Sequence, residues 1–247
     1  MYRLNYLFLF FTMTLGCFAQ TGLPGTSRLT IGSKESNSLF GLNIIEYGRG
    51  KTSSNKNIEG SVYLFKNWNN LAKIWLNDKI FNIDLINYNL QNERFEIKLD
   101  NDSILIVNPM ANKVEKVIVN NSVFKSYYNK ELFRDTFFEL IWFSDDYSLL
   151  SNYKLKITPG DINPLTKTYI NPKKYIHNRS FYIKKSNGEQ MTPIKLKKSE
   201  ILKLIDDLYV NQVKRFVKKR RLKYNKVSDV KDVLAYYDSI KNSKKKG

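Results

Sequence analysis

Acid–base and nucleophilic catalysis need groups that titrate or attack, and this chain holds few of them. His177 is its only histidine and Cys17 its only cysteine. A single histidine excludes a two-histidine metal site and leaves one base for any Ser-His-Asp arrangement. Beside Asn178 and Arg179 it reads as a surface or turn residue. Paired carboxylates occur at Asp145-Asp146 and Asp206-Asp207. Neighbouring residues of a strand or helix point in different directions, so neither pair forms a ready acid–base dyad. Gly48-Arg49-Gly50-Lys51-Thr52 has the look of a phosphate-loop tail, but Ile45 stands where the first glycine of that motif belongs. The expectation is therefore no catalytic residue, no metal and no cofactor. A hydrolase using carboxylates alone is the third-ranked reading.

Binding chemistry is better represented. Lys214, Arg215, Lys218, Lys219, Arg220, Arg221 and Lys223 crowd into ten residues and overlap an apolar ladder. One helix face would pack on a core while the other presents positive charge to phosphates, acidic groups or a membrane surface. The same residues also describe a solvated helix C-terminus, where the macrodipole favours cations. A second set, Tyr63, Phe65, Trp68, Trp75, Phe81 and Tyr88, has the aromatic density of a core. Trp68, Trp75 and Tyr88 are also the residues that would line an apolar-ligand cavity in a curved sheet.

The address of the chain limits its partners. Arg3 supplies a positive start, Tyr6 to Phe18 is apolar apart from polar Thr12 and Thr14, and Ala19 precedes Gln20. That is the pattern of a cleavable secretory signal over residues 1–20, with cleavage between Ala19 and Gln20. Cleavage there removes Cys17 and leaves a mature chain without disulfide or thiolate chemistry. Lipidation of Cys17 is the competing outcome, although the preceding Leu15 stands one place off the lipoprotein pattern. The formal charge is +18, from 41 Lys and Arg against 23 Asp and Glu. Export turns that charge away from nucleic acid and toward an acidic envelope component, an acidic protein partner or the membrane surface.

The elements that would position these groups follow from periodicity. Residues 21–60 carry 7 of the 11 glycines and read as a flexible leader with short apolar islands, among them Ile44-Ile45. Residues 61–196 break into short runs of period two separated by turn residues, which predicts an antiparallel β domain. Within it the apolar set shifts from Phe81, Ile83 and Leu85 to Ile86, Tyr88 and Leu90, the parity change of a β-bulge. Phe137 to Phe143 is apolar on both faces, as in a strand covered on both sides. Residues 197–247 predict two amphipathic helices and a basic tail: one from Ser199 to about Leu222, another capped by Ser228 and running past Ile240. The fold class is α+β: a curved antiparallel β meander or partly open barrel followed by two C-terminal amphipathic helices.

Gly60-Ser61-Val62-Tyr63-Leu64-Phe65, Trp68, and Asn87-Tyr88-Asn89 ahead of Phe95-Glu96 form a recognisable series. With these residues the chain resembles a group of uncharacterised exported proteins of Gram-negative bacteria across residues 60–240. The resemblance implies a periplasmic or membrane-attached location and assigns no catalytic residue. The combined reading is an exported envelope binding or interaction protein, with a carrier of a lipid or other apolar ligand as the alternative. Mass spectrometry of the exported chain is expected to give an N-terminus at Gln20. A lipid-modified Cys17 would replace that assignment with the membrane-attached form.

Overall fold

The computed structural model describes residues 27–28, 44–45, 58–76, 79–99, 104–107, 114–188 and 190–245. Cys17, Ala19, Gln20 and the phosphate-loop-like stretch 48–52 lie outside these residues, as does most of the leader. Among the described residues the strands are β1 (Ser27–Arg28), β2 (Ile44–Ile45), β3 (Ile58–Glu59), β4 (Asn69–Leu76), β5 (Lys79–Asn89), β6 (Arg94–Lys98), β7 (Ile104–Val107) and β8 (Val114–Val119). They continue with β9 (Ser122–Asn129), β10 (Arg134–Phe143), β11 (Tyr147–Thr158), β12 (Asp161–Ile162), β13 (Tyr169–Asn171), β14 (Lys173–Lys185) and β15 (Met191–Ile194). Helices α1 (Lys198–Leu202), α2 (Asp207–Arg220) and α3 (Val227–Lys245) close the chain, so the arrangement is mostly β with C-terminal helices.

One large, open sheet runs in the order β15, β14, β11, β10, β9, β8, β4, β5, β6, β7, β2, with β12 and β13 as a separate hairpin. Two features depart from a simple antiparallel meander. Strands β1 and β3, both from residues 21–60, pair parallel with β5 and β14, so the sheet is mixed. Strand β8 also pairs with β4 rather than with its chain neighbour β7. The reason lies in β4, where Ala72, Ile74 and Leu76 are buried in alternation and both edges of the strand are paired.

The parity change in β5 marks the place where that strand changes partner. Its first half pairs with β4 as far as Leu85, which faces both Asn69 and Asn70, and its second half pairs with β6 from Ile86 onward. Phe81 and Ile83 are buried before this point, Ile86 and Tyr88 after it. The sheet turns over at the corner. Phe95 on β6 lies 5.2 Å from Phe124 on β9 and 5.0 Å from Phe137 on β10, measured between ring centroids. Four strand spacings along a flat ladder would separate β6 from β9 by roughly 19 Å. Tyr88, 4.8 Å from Phe95, completes the ring cluster.

A second core forms where the helices cover the other end of β10 and β11. Ile141, Trp142 and Leu149 meet Ile201, Ile205, Tyr209, Val213, Val217, Val230, Val233, Leu234 and Tyr237 there. Strand β10 therefore buries apolar groups on both faces, Phe137 in the ring cluster and Phe138 against Tyr127 and Tyr182. The helical end differs from expectation in two places. The apolar ladder from Ile201 to Val217 is not one helix, because the backbone leaves helical geometry between α1 and α2 and Asp206 is extended at φ −59, ψ 140. That break buries Ile201 and Ile205 in the second core and leaves Leu208 exposed. Ser228 does not cap α3; it lies in the first turn, and Lys226 occupies the cap position with its carbonyl accepting the Val230 N–H.

Because Phe95 joins the two halves of the turned sheet, Phe95→Ala is expected to cost about 3–5 kcal/mol in urea unfolding. A loss below about 1 kcal/mol would mean that the ring cluster does not hold the halves together.

Candidate functional site

The strongest local concentration of charge sits on α2, and packing decides which way it faces. Tyr209, Val213 and Val217 recur every four residues and are buried. Tyr209 meets Tyr237 at 5.8 Å, and Phe216 stacks on Tyr236 at 4.0 Å with an interplanar angle of 6°. With that face fixed against α3, Lys214, Arg215, Lys218, Lys219 and Arg220 point to solvent, and Arg221 and Lys223 just beyond the helix are exposed as well. Among the described residues none of the seven side chains forms a salt bridge, the Asp229 carboxylate accepting only the Lys223 backbone N–H at 2.9 Å, whereas Lys203, Lys226 and Lys241 elsewhere in the helical region each have an acidic partner. Arg215 Nε makes only a long contact, 3.4 Å, with the Asn211 carbonyl of its own helix.

The end of α2 adds a constraint. Arg221 adopts left-handed geometry at φ +54, its N–H reaching Lys218 O, while the Leu222 N–H donates to Val217 O at 3.0 Å. This is the helix stop that glycine usually provides. An arginine there costs about 1–2 kcal/mol of backbone strain relative to right-handed geometry, yet it keeps a cation at the helix C-terminus, where the macrodipole is negative. Beside this end lies a groove of about 780 Å³ whose lining includes Arg179, Phe181, Ile194, Lys195, Lys197 and Asn225.

Arg179 belongs to a network that sequence reasoning missed. Glu139 on β10 accepts hydrogen bonds from Arg179 (2.5 Å), Tyr153 (2.7 Å), Ser122 (2.9 Å) and Ser151 (3.1 Å). Its charge is compensated on several sides, as a largely buried carboxylate requires. The network lies between the two apolar cores and fixes the register of β9, β10, β11 and β14. The signal was a lone acid inside the run Phe137 to Phe143, which alternation alone treats as uniformly apolar.

The carboxylate pairs are brought together, but around a lysine. Lys241 Nζ of α3 lies 2.5 Å from Asp146 and 3.7 Å from Asp206. Asp238, one helical turn back on α3, is pushed up to about 6, chiefly by burial, against an opposing side-chain hydrogen bond with Trp142. These groups border a recess of about 190 Å³ rather than a deep cleft. Their geometry ties the β10–β11 turn and the α1–α2 link to α3. His177 lies on β14, exposed, with Nε2 2.8 Å from Ser61 O. Among the described residues no group of three or more His, Cys, Asp or Glu is placed to hold a metal ion. No described helix is long and apolar enough to cross a membrane.

The three residues proposed for an apolar ligand do not converge. Tyr88 is inside the ring cluster, Trp68 packs edge-on against Tyr63 at 4.8 Å, and Trp75 alternates with the buried Ile74 and Leu76, its ring covered by Lys116 at 4.2 Å. The period of a β-strand sends Trp75 to the face opposite the core. Searches against protein-family models, curated proteins and solved structures give no match to this chain.

The Asp238 carboxyl carries a testable linkage. Its folded-state value lies above its ordinary 3.8, so its contribution to stability is complete below about pH 4 and is lost as pH rises through about 6. Asp238→Asn is therefore expected to raise the thermal midpoint relative to the parent chain at about pH 7.5 but not at about pH 4. Equal shifts at both pH values would assign the effect to packing.

Proposed function

We propose that this chain is an exported, noncatalytic binding protein of the cell envelope that docks on an acidic partner through the solvent face of α2. The observation that carries the proposal is the combination of seven exposed cations, no salt bridge from any of their side chains among the described residues, and a helix whose opposite face is held against α3. Near an anionic surface each such charge contributes about 1 kcal/mol. The adjoining groove carries both signs, Lys195 and Lys197 with Glu131 and Glu200, and its Arg179 is neutralised by Glu139, so the cations of α2 and its end carry the basic surface. The turned sheet, taken as a partly open barrel, gives the helices a stiff support.

The envelope address, periplasmic or surface-associated, rests on the signal pattern of residues 1–20. The partner is an acidic envelope component or an acidic protein, and nucleic acid is not proposed. A carrier function has less support, because Tyr88, Phe95, Phe124 and Phe137 fill the inside of the turned sheet with their own rings. A hydrolase has less still, because Asp146 and Asp206 are engaged by Lys241.

The test compares the mature chain with a variant carrying Lys218→Gln, Lys219→Gln, Arg220→Gln and Arg221→Gln on a surface coated with long-chain polyphosphate. Loss of four charges is expected to weaken retention roughly tenfold or more at about 50 mM NaCl, and the parent chain should weaken similarly at about 500 mM. Equal retention of the two proteins, insensitive to salt, removes the proposed role of α2.

A further inference from the structure

A second surface of different chemistry projects from the opposite end of the sheet. Strands β11 and β14 continue beyond the core as an arm, joined at its root by β3 beside Lys173 and Lys174, that ends in the β12–β13 hairpin, and nearly every residue from Lys156 to Lys174 is exposed. Leu149, in the helix-covered core, and Thr158, at the root of the hairpin, are nine residues apart on one strand, roughly 30 Å. The arm and the basic face of α2 are therefore separate surfaces.

The end of this arm is apolar and built to stay so. Leu165 is 91% exposed, Ile170 63%, Tyr169 53% and Ile162 51%. Leu165 is not on a loose loop: Asn163 Oδ1 accepts the N–H groups of Leu165 and Thr166, and the Asn163 N–H donates to Thr168 O at 2.9 Å. The Lys167 N–H returns to Asn163 O at 2.8 Å. At the neck, a Cβ on Gly160 would stand 2.5 Å from Asn171 O, so glycine is what lets the two strands close there. Asn171 Nδ2 donates to Asp161 at 2.8 Å and fastens the same point. Asp161 is the only acid between Lys156 and Lys174, and Glu59 of β3 pairs with Lys174 at 3.1 Å, so Lys156, Lys167 and Lys173 are the cations that the arm offers.

We infer that the arm is a membrane-surface contact whose partner is the headgroup and upper acyl region of an anionic bilayer. Exposed apolar groups clustered this way mark an interaction surface. Lysine is depleted from protein–protein interfaces, whereas apolar groups interleaved with lysines supply both terms of interfacial lipid binding: burial of Leu, Ile and Tyr side chains and attraction of ammonium groups to anionic headgroups. Tyrosine is also enriched at the membrane–water boundary. The inference rests on the proposed envelope address but not on the basic face of α2.

The experiment uses the mature chain and vesicles of phosphatidylethanolamine and phosphatidylglycerol. The variant L165W places a reporter at the tip, and the parent chain, with its own tryptophans, supplies the background to subtract. With vesicles present, the added emission is expected to shift to the blue and to be quenched by brominated acyl chains. At about 0.5 M NaCl, where exposed charges are screened, the shift should persist. The double variant L165S/I170S removes exposed apolar side chains and changes no charge; it should bind vesicles roughly tenfold more weakly while its retention on polyphosphate stays unchanged. Emission of L165W that ignores vesicles, or a double variant that binds them like the parent, overturns the inference. A blue shift that appears without vesicles and grows with protein concentration also overturns it and makes the arm a contact between copies of the chain. Polyphosphate retention reads charge, which L165S/I170S leaves as it is, so failure of the arm is distinguishable from failure of α2.

Discussion

The structure depends on a conflict within strand β5 that only a change of partner resolves. A strand of fixed direction sends alternate residues to one face, yet from Phe81 the apolar residues of β5 are odd-numbered up to Leu85 and even-numbered from Ile86. Kept straight, it would expose one of the two sets. The corner at Leu85 removes the conflict and in doing so lays β6 over β9 and β10, where Tyr88, Phe95, Phe124 and Phe137 close into one cluster. Buried asparagines hold the corner. Asn87 Oδ1 accepts the Phe65 N–H and its Nδ2 donates to Phe65 O and Asn67 O. Asn70 Nδ2 donates to Ile86 O.

The segment Gly60–Phe65, Asn87–Asn89 and Phe95–Glu96 are parts of this corner. The Leu64 N–H donates to Tyr88 O and the Leu90 N–H to Val62 O, so the Gly60–Phe65 segment is laced along β5. Glu96, almost fully buried, is held by Arg94 at 2.9 Å, Asn89 at 3.1 Å and Tyr63 at 2.9 Å. A carboxylate so enclosed is tolerable only with that many donors. These residues thus hold the turn of the sheet.

Polar groups elsewhere follow the same logic. Inside, Glu139 and Arg179 neutralise each other between two apolar cores, and at the junction of helices and sheet Lys241 gathers Asp146 and Asp206. These internal charges are thus compensated, while the seven cationic side chains on and just after α2 form no salt bridge among the described residues. The basic face of α2 and the apolar tip of the β12–β13 hairpin lie far apart, a separation that suits two different contacts better than one.

Local patterns made much of this legible. Period-two runs marked the strands, the change of parity in β5 marked its corner, and the two-faced apolar run marked β10 as a strand buried on both sides. The cation cluster and its apolar ladder placed charge on one side of a helix, because helical spacing is a property of the chain itself. Strand order was beyond that reach: nothing local to β8 says that it pairs with β4 instead of β7, since pairing is settled by which hydrophobic faces can be covered together. The break before α2, the lysine joining two distant aspartates, and the dispersal of Trp68, Trp75 and Tyr88 were decided at the same level. Each depends on residues far apart in sequence meeting in space, so sequence alone determined where strands, helices and the cluster of cations fall, and the tertiary structure decided how they pair, leaving the apolar hairpin tip outside the core and the α2 cations without a salt bridge.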